Sequence, residues 1–136
     1  MPDRSNVLEN SGLGLIVALT LAGVIAGLAF GAILDGFMSI VLVGVLLIAT
    51  ASDLLTTRLI VLPPILANAE LSTEQKADTA GTIAFSFSLV PSVFGIAAAI
   101  MTGQPLLALP FGAAAVLTHA MLWGCVRSSL TSLRVN

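Results

Sequence analysis

The chain has 136 residues, of which 57% are hydrophobic and only 9% charged, and its net charge is −2. A soluble domain carries roughly a quarter of its residues as charges, so twelve charged residues leave a surface that must face lipid or other apolar protein. The small negative charge and the lack of a basic patch with interleaved aromatics exclude a nucleic-acid partner, and a single cysteine, Cys125, excludes an internal disulfide.

The segment before the first apolar run holds Asp3 and Glu9 beside Arg4. That is a poor positive region for a cleaved signal, and the run itself exceeds the usual signal core of about 7–15 residues. The first helix is predicted over 13–34. Its uncharged stretch spans roughly 33 Å at about 1.5 Å per residue, enough for a hydrocarbon core of about 30 Å. Asp35-Gly36 reads as a tight turn. The second helix is predicted over 37–62, where Pro63-Pro64 should stop it, because proline donates no backbone hydrogen bond and restricts the residue before it. Ile65–Leu71 then reads as a loop at the membrane interface.

Ser72 and Gln75 have the spacing of a capping box, so the third helix is predicted over 73–101, kinked at Pro91. Thr102-Gly103-Gln104-Pro105 forms the next turn. The fourth helix is predicted over 106–126, with a short polar tail after Arg127. The fold class read from this pattern is all-α: an integral membrane protein with four transmembrane helices in an up-down bundle of two hairpins. Four crossings collect Arg4, Arg58, Lys76, Arg127 and Arg134 on one side. The positive-inside rule makes that side, with both termini, cytoplasmic. The expected location is a bacterial cytoplasmic (inner) membrane.

Small residues recur at helical spacing: Gly23, Gly27 and Gly31 in the first helix, then Ala84, Ser88, Ser92, Gly95 and Ala99 in the third. The fourth helix has Ala108, Gly112 and Ala115. Such stripes let backbones approach closely within a membrane. They serve either the bundle itself or, at the first-helix glycines above all, a neighbouring chain.

Ionisable groups inside a membrane cost about 2.5–3.5 kcal/mol on insertion scales and need a reason. Asp53 shares a helix face with Thr50 and Thr57. It reads either as a solvated group at headgroup level or as a proton or cation ligand in an ion pathway. His119 lies roughly 12 Å deep along the fourth helix, with Trp123 one turn on at interface depth. The imidazole reads either as a neutral group bonded to a hydroxyl, a carbonyl or Asp53, or as an axial ligand to haem or a chlorophyll-type pigment. The similar cytoplasmic depth of Asp53 and His119 makes a direct pair plausible. With one histidine and one cysteine, a structural zinc site or a bis-histidine haem within one chain is excluded. No dinucleotide-binding, phosphate-loop or zinc-protease motif occurs.

The segment Ala84-Phe85-Ser86-Phe87-Ser88-Leu89-Val90-Pro91-Ser92-Val93-Phe94-Gly95 resembles the outer helix of rotary-ATPase proteolipid c subunits, and the glycine-rich first helix is similar to their inner helix. The pattern departs where those proteins carry their ion, because no carboxylate follows Asp78. Ala115-x-x-x-His119 with Trp123 resembles the pigment-binding helix of single-span bacterial light-harvesting polypeptides. The Thr-Gly-x-Pro turn and apolar last helix also resemble small bacterial four-helix membrane proteins of no known activity. The expectation is a non-catalytic accessory or structural subunit of a larger, energy-transducing type of membrane complex, with no cofactor. Its partners would be membrane lipids, structurally bound ones included, and other membrane subunits or copies of itself. The alternatives are an ion- or solute-translocating homo-oligomer using Asp53, and a haem- or pigment-binding subunit using His119.

Overall fold

The structure, a computed structural model, describes residues 4–30 and 36–135, with the side-chain surroundings described over 6–30 and 36–132. It is all-helical over these residues. The elements are α1 (Arg4–Phe30), α2 (Gly36–Thr56), a π-helical segment (Thr57–Val61), α3 (Leu62–Ala67), α4 (Thr73–Ser88), α5 (Val90–Thr102), a 3₁₀ turn (Pro105–Leu107) and α6 (Ala108–Val135). They merge into four helices long and apolar enough to cross a membrane: Asn6–Phe30, Gly36–Ala67, Thr73–Thr102 and Pro105–Ser132. The end of the first helix with Gly31, and the turn at Asp35, lie outside the described residues.

Three boundaries differ from the sequence expectation. α1 begins at Arg4, well before Leu13, and α6 runs on to Val135 through what reads as a polar tail. In that last stretch Ser128, Thr131 and Ser132 donate to carbonyls three or four residues back, so these polar side chains bond to the helix they extend. The third difference is at Pro63-Pro64. The helix passes through both prolines and ends at Ala67, so Ile65–Ala67 is helix rather than loop. The N–H of Leu62 reaches five residues back to the Thr57 carbonyl. This wider turn gives the proline rings room where the tighter α ladder would clash.

The third span matches its prediction closely. Ser72 accepts from the Gln75 amide and Gln75 returns a bond to the Ser72 amide, which completes the capping box. Leu89 interrupts the helix just before Pro91, as a missing proline donor requires. Gly103 ends the span at φ 63°, ψ 20°, a left-handed conformation that glycine adopts without steric cost.

Packing does not follow chain order. α1 packs mainly on α5 and α6 and also on α4, while α2 rests chiefly on α5 and makes little or no contact with α1. The first expected hairpin is therefore not a packed pair. In the most apolar part of each span, 11% of the second helix and 17% of the first are buried, against 39% and 44% for the third and fourth. The bundle is a three-helix core with α2 laid on its outside.

Candidate functional site

The small residues are where the three-helix core closes. A methyl group added at Gly23 would stand 2.9 Å from the Ala108 Cβ, and one at Gly27 would stand 2.8 Å from the Pro105 Cα. At Gly95 it would meet the Phe111 Cβ at 2.8 Å, and at Gly112 the Thr20 Cγ2 at 2.7 Å. Ala84, Ser88, Ser92, Ala99, Ala108 and Ala115 are all buried. The described glycines of the first-helix stripe thus receive neighbours from the same chain, and dispersion across these close approaches holds the helices together. Their surface is used up within the bundle and is not available to a neighbouring protein.

The same stripe continues toward the N-terminus, where it carries the one buried imidazole. His119 is 2% exposed. Its ring lies over Gly12 of α1, where an added methyl would come within 2.5 Å of Cε1 and 3.3 Å of Phe85 Cδ2. The Nδ1 atom is 3.0 Å from the Ser88 Oγ, and that Oγ is 2.8 Å from the Phe85 carbonyl oxygen. A hydroxyl has one proton, so Ser88 donates either to the Phe85 carbonyl or to Nδ1, according to the tautomer of the ring. Nε2 is buried without a hydrogen-bond partner.

Asp53 makes no hydrogen bond or ion pair with His119, so the direct pair expected from their similar depth does not form. Of the three partners considered for the imidazole, the structure has the hydroxyl.

Trp123 lies one turn beyond, its ring centroid 6.0 Å from that of His119 and inclined at 50°. It is 2% exposed and sits over Gly81, 3.2 Å from where a methyl group would project. The indole expected at interface depth is thus packed inside the bundle. The missing side chain at Gly81 opens a slot for the indole between α4 and α6. Leu62, Leu66, Ala80, Ala84, Leu122 and Val126 close the cluster around it, and Cys125 packs at its edge as a partly buried apolar residue. At the same end Arg127 pairs with Glu9 and ties α6 to α1.

On the second span, Thr50 and Thr57 are buried, and Asp53 is partly buried with its Oδ2 enclosed. All three share the face turned away from the exposed Ala51, Ser52, Leu55 and Thr56. The Thr50 hydroxyl donates to the Leu46 carbonyl at 2.9 Å. Neither Asp53 Oδ2 nor Thr57 Oγ1 has a partner.

Comparison of the chain with protein-family models, curated proteins and solved structures finds no match.

The site residues found only in the structure are Gly12, Gly81, Glu9 and the bonding role of Ser88. Gly12 had a signal, since Gly12, Ile16 and Thr20 are four apart and lead into Gly23 and Gly27. Gly81 had none, because its partner lies more than forty residues away in sequence. Two further features bear on ligands. A groove of about 290 Å³ runs between α1 and α6, lined by residues such as Ile16, Thr20, Gly112 and Val116. Among the described residues no group of three or more His, Cys, Asp or Glu could hold a metal ion.

Proposed function

We propose that the chain is an integral membrane protein of a bacterial inner membrane and serves as a non-catalytic accessory subunit of a larger membrane assembly, docking through α2. The observation that carries this reading is the packing of that helix. α2 gives up little of its surface to its own chain, and Gly36 and Gly44 on it have nothing within reach of an added methyl group. Helix association in lipid depends on close packing rather than on a hydrophobic drive. A span held by so few contacts gains most from a neighbour, and lipid covers the faces that remain. The termini are assigned to the cytoplasmic side because Arg58, Lys76 and Arg127 belong to the end of the bundle where Glu9 meets Arg127 and where Leu62, Ala80 and Val126 pack together.

Two measurements test the proposal. Tagged protein extracted from its membrane in mild detergent should run on a native gel in a complex with stoichiometric partner subunits; a 13.9 kDa chain that runs alone defeats it. In a Cys125→Ser background, an impermeant thiol reagent should label Gln104→Cys from outside the cell and Ser5→Cys only in inverted vesicles. The opposite pattern reverses the orientation.

A second reading, ion translocation through Asp53, is favoured by the unpartnered Asp53 Oδ2 and Thr57 Oγ1. Liposomes holding the protein should then show a flux that Asp53→Asn abolishes, and an inert wild type ends that reading. The haem or pigment reading keeps only its ligand atom, the free Nε2 of His119. Gly12, Phe85 and Ser88 crowd the imidazole, so a macrocycle would have to part α1 from α6 to reach it. An absorption spectrum of the purified protein decides that point.

A further inference from the structure

Five threonine hydroxyls in these helices bond back to their own helix. Thr20, Thr50, Thr82, Thr102 and Thr131 each donate to the carbonyl four residues back, at 2.7 to 2.9 Å. Thr56, Thr57, Thr79 and Thr118 make no such bond, and of these four only Thr57 has its hydroxyl oxygen fully enclosed. The carbonyl four residues before it is that of Asp53, and the Thr57 hydroxyl does not bond to it. Thr57 is nevertheless 0% exposed, so water does not replace the lost bond. An orphaned buried hydroxyl costs about 1–3 kcal/mol and calls for a physical reason.

Two neighbouring facts share the same turn. Asp53 lies four residues earlier on the same face, a spacing that sets Cβ atoms about 5–6 Å apart, and its Oδ2 is enclosed without a donor. Among the described residues no basic side chain pairs with it. Thr57 is also the first residue of the π-helical segment, a local widening that occurs frequently at functional sites. A carboxylate oxygen and a hydroxyl oxygen one helical turn apart on the same face are thus both enclosed and both without a hydrogen-bond partner.

We infer that Asp53 and Thr57 form an occluded binding site for one monovalent cation at the π turn of the second span. The charge argument sets the valence. One carboxylate neutralises one positive charge, whereas a divalent ion would keep an uncompensated charge in an apolar setting. Divalent sites also draw on several carboxylates or carbonyls, and no such group of side chains exists among the described residues. The Asp53 carboxylate and a lone pair of the Thr57 hydroxyl oxygen supply the ligand atoms. The site uses the residues of the translocation reading but does not require flux: a bound ion can be purely structural.

The test is sodium-22 equilibrium dialysis of the protein in nanodiscs, at ionic strength held constant with choline chloride, with KCl and LiCl as competitors. Trp123 supplies a second readout, because it shares an apolar cluster with Leu54 and Leu62 on either side of Thr57. Sodium should bind saturably, one ion per chain, and shift the Trp123 emission along the same curve. Asp53→Asn should weaken binding more than about 100-fold, as loss of a buried charge partner does. Thr57→Val should weaken it about tenfold, the worth of one oxygen contact to a charge, and Thr57→Ser should restore it. Thr82→Val should leave it unchanged, because that hydroxyl lies on α4 and is exposed, bonded to the Asp78 carbonyl. Should Asp53→Asn not fold, the Val and Ser variants of Thr57 decide alone. The site is overturned if no alkali cation binds saturably, or if binding survives Thr57→Val intact. A chain that binds sodium but carries no flux defeats only the translocation reading.

Discussion

Gly27→Ala separates a stripe that builds the bundle from one that serves a partner. The new methyl group would meet the Pro105 Cα at 2.8 Å, the Ala99 Cβ at 3.1 Å and the Ala99 carbonyl oxygen at 3.2 Å. Two of these three are backbone atoms, so no side-chain rotation relieves the clash. α1 must move away from α5 and the following turn. Overpacking of this kind costs about 1–3 kcal/mol, while replacing glycine in a helix returns about 0.5–1 kcal/mol. Gly14→Ala is the internal reference, because Gly14 lies on the same helix with nothing within 4 Å. The helix term is common to both variants and cancels in the difference. Gly27→Ala should therefore be less stable than Gly14→Ala by about 1–3 kcal/mol, or roughly 5- to 150-fold in the folding equilibrium. Unfolding in mixed micelles by increasing fractions of a denaturing detergent, followed through the emission of the single Trp123, measures it. Equal stability of the two variants refutes the packing account. Equal stability with loss of the native complex returns the stripe to the partner.

Ser88→Ala removes the hydroxyl bonded to the His119 Nδ1; the same unfolding assay should show a loss of about 1–3 kcal/mol, whereas an unchanged midpoint means that the bond contributes nothing. Ser72→Ala removes the cap of the third span and should cost about 0.5–2 kcal/mol, with amide exchange accelerated over Thr73–Lys76 and not at α6. Arg127→Ala breaks a pair whose side chains are 60% and 20% exposed, so its effect should stay under about 1 kcal/mol; a larger loss means the pair is shielded from solvent in its native setting. Brominated lipids should quench Trp123 weakly, because the indole lies in the slot over Gly81, and strong quenching would place it at the lipid surface instead.

Much of this architecture was legible in the residues. Uncharged runs of transmembrane length, the capping box at Ser72 and Gln75, and Gly103 after the third span each act through local chemistry, and local chemistry is written along the chain. The boundaries that were misjudged also have a local cause. Pro63-Pro64 normally ends a helix, but one wide turn over Thr57–Val61 absorbs the pair. Polar residues after Arg127 read as a tail, yet their hydroxyls bond back to the helix that they prolong.

The sequence by itself determined the class of the protein: four apolar helices, their approximate spans, and the few polar residues worth attention. The tertiary structure alone decided which surfaces meet. It set α1 against α5 and α6 rather than beside α2, seated Trp123 over Gly81, gave His119 to Ser88 rather than to Asp53, and left Asp53 and Thr57 without partners. The reason is physical. Hydropathy measures how each residue transfers out of water, and nearly every residue in these spans transfers alike. Which apolar face meets which depends on shape, and shape is set by which glycine lies opposite which side chain across the bundle.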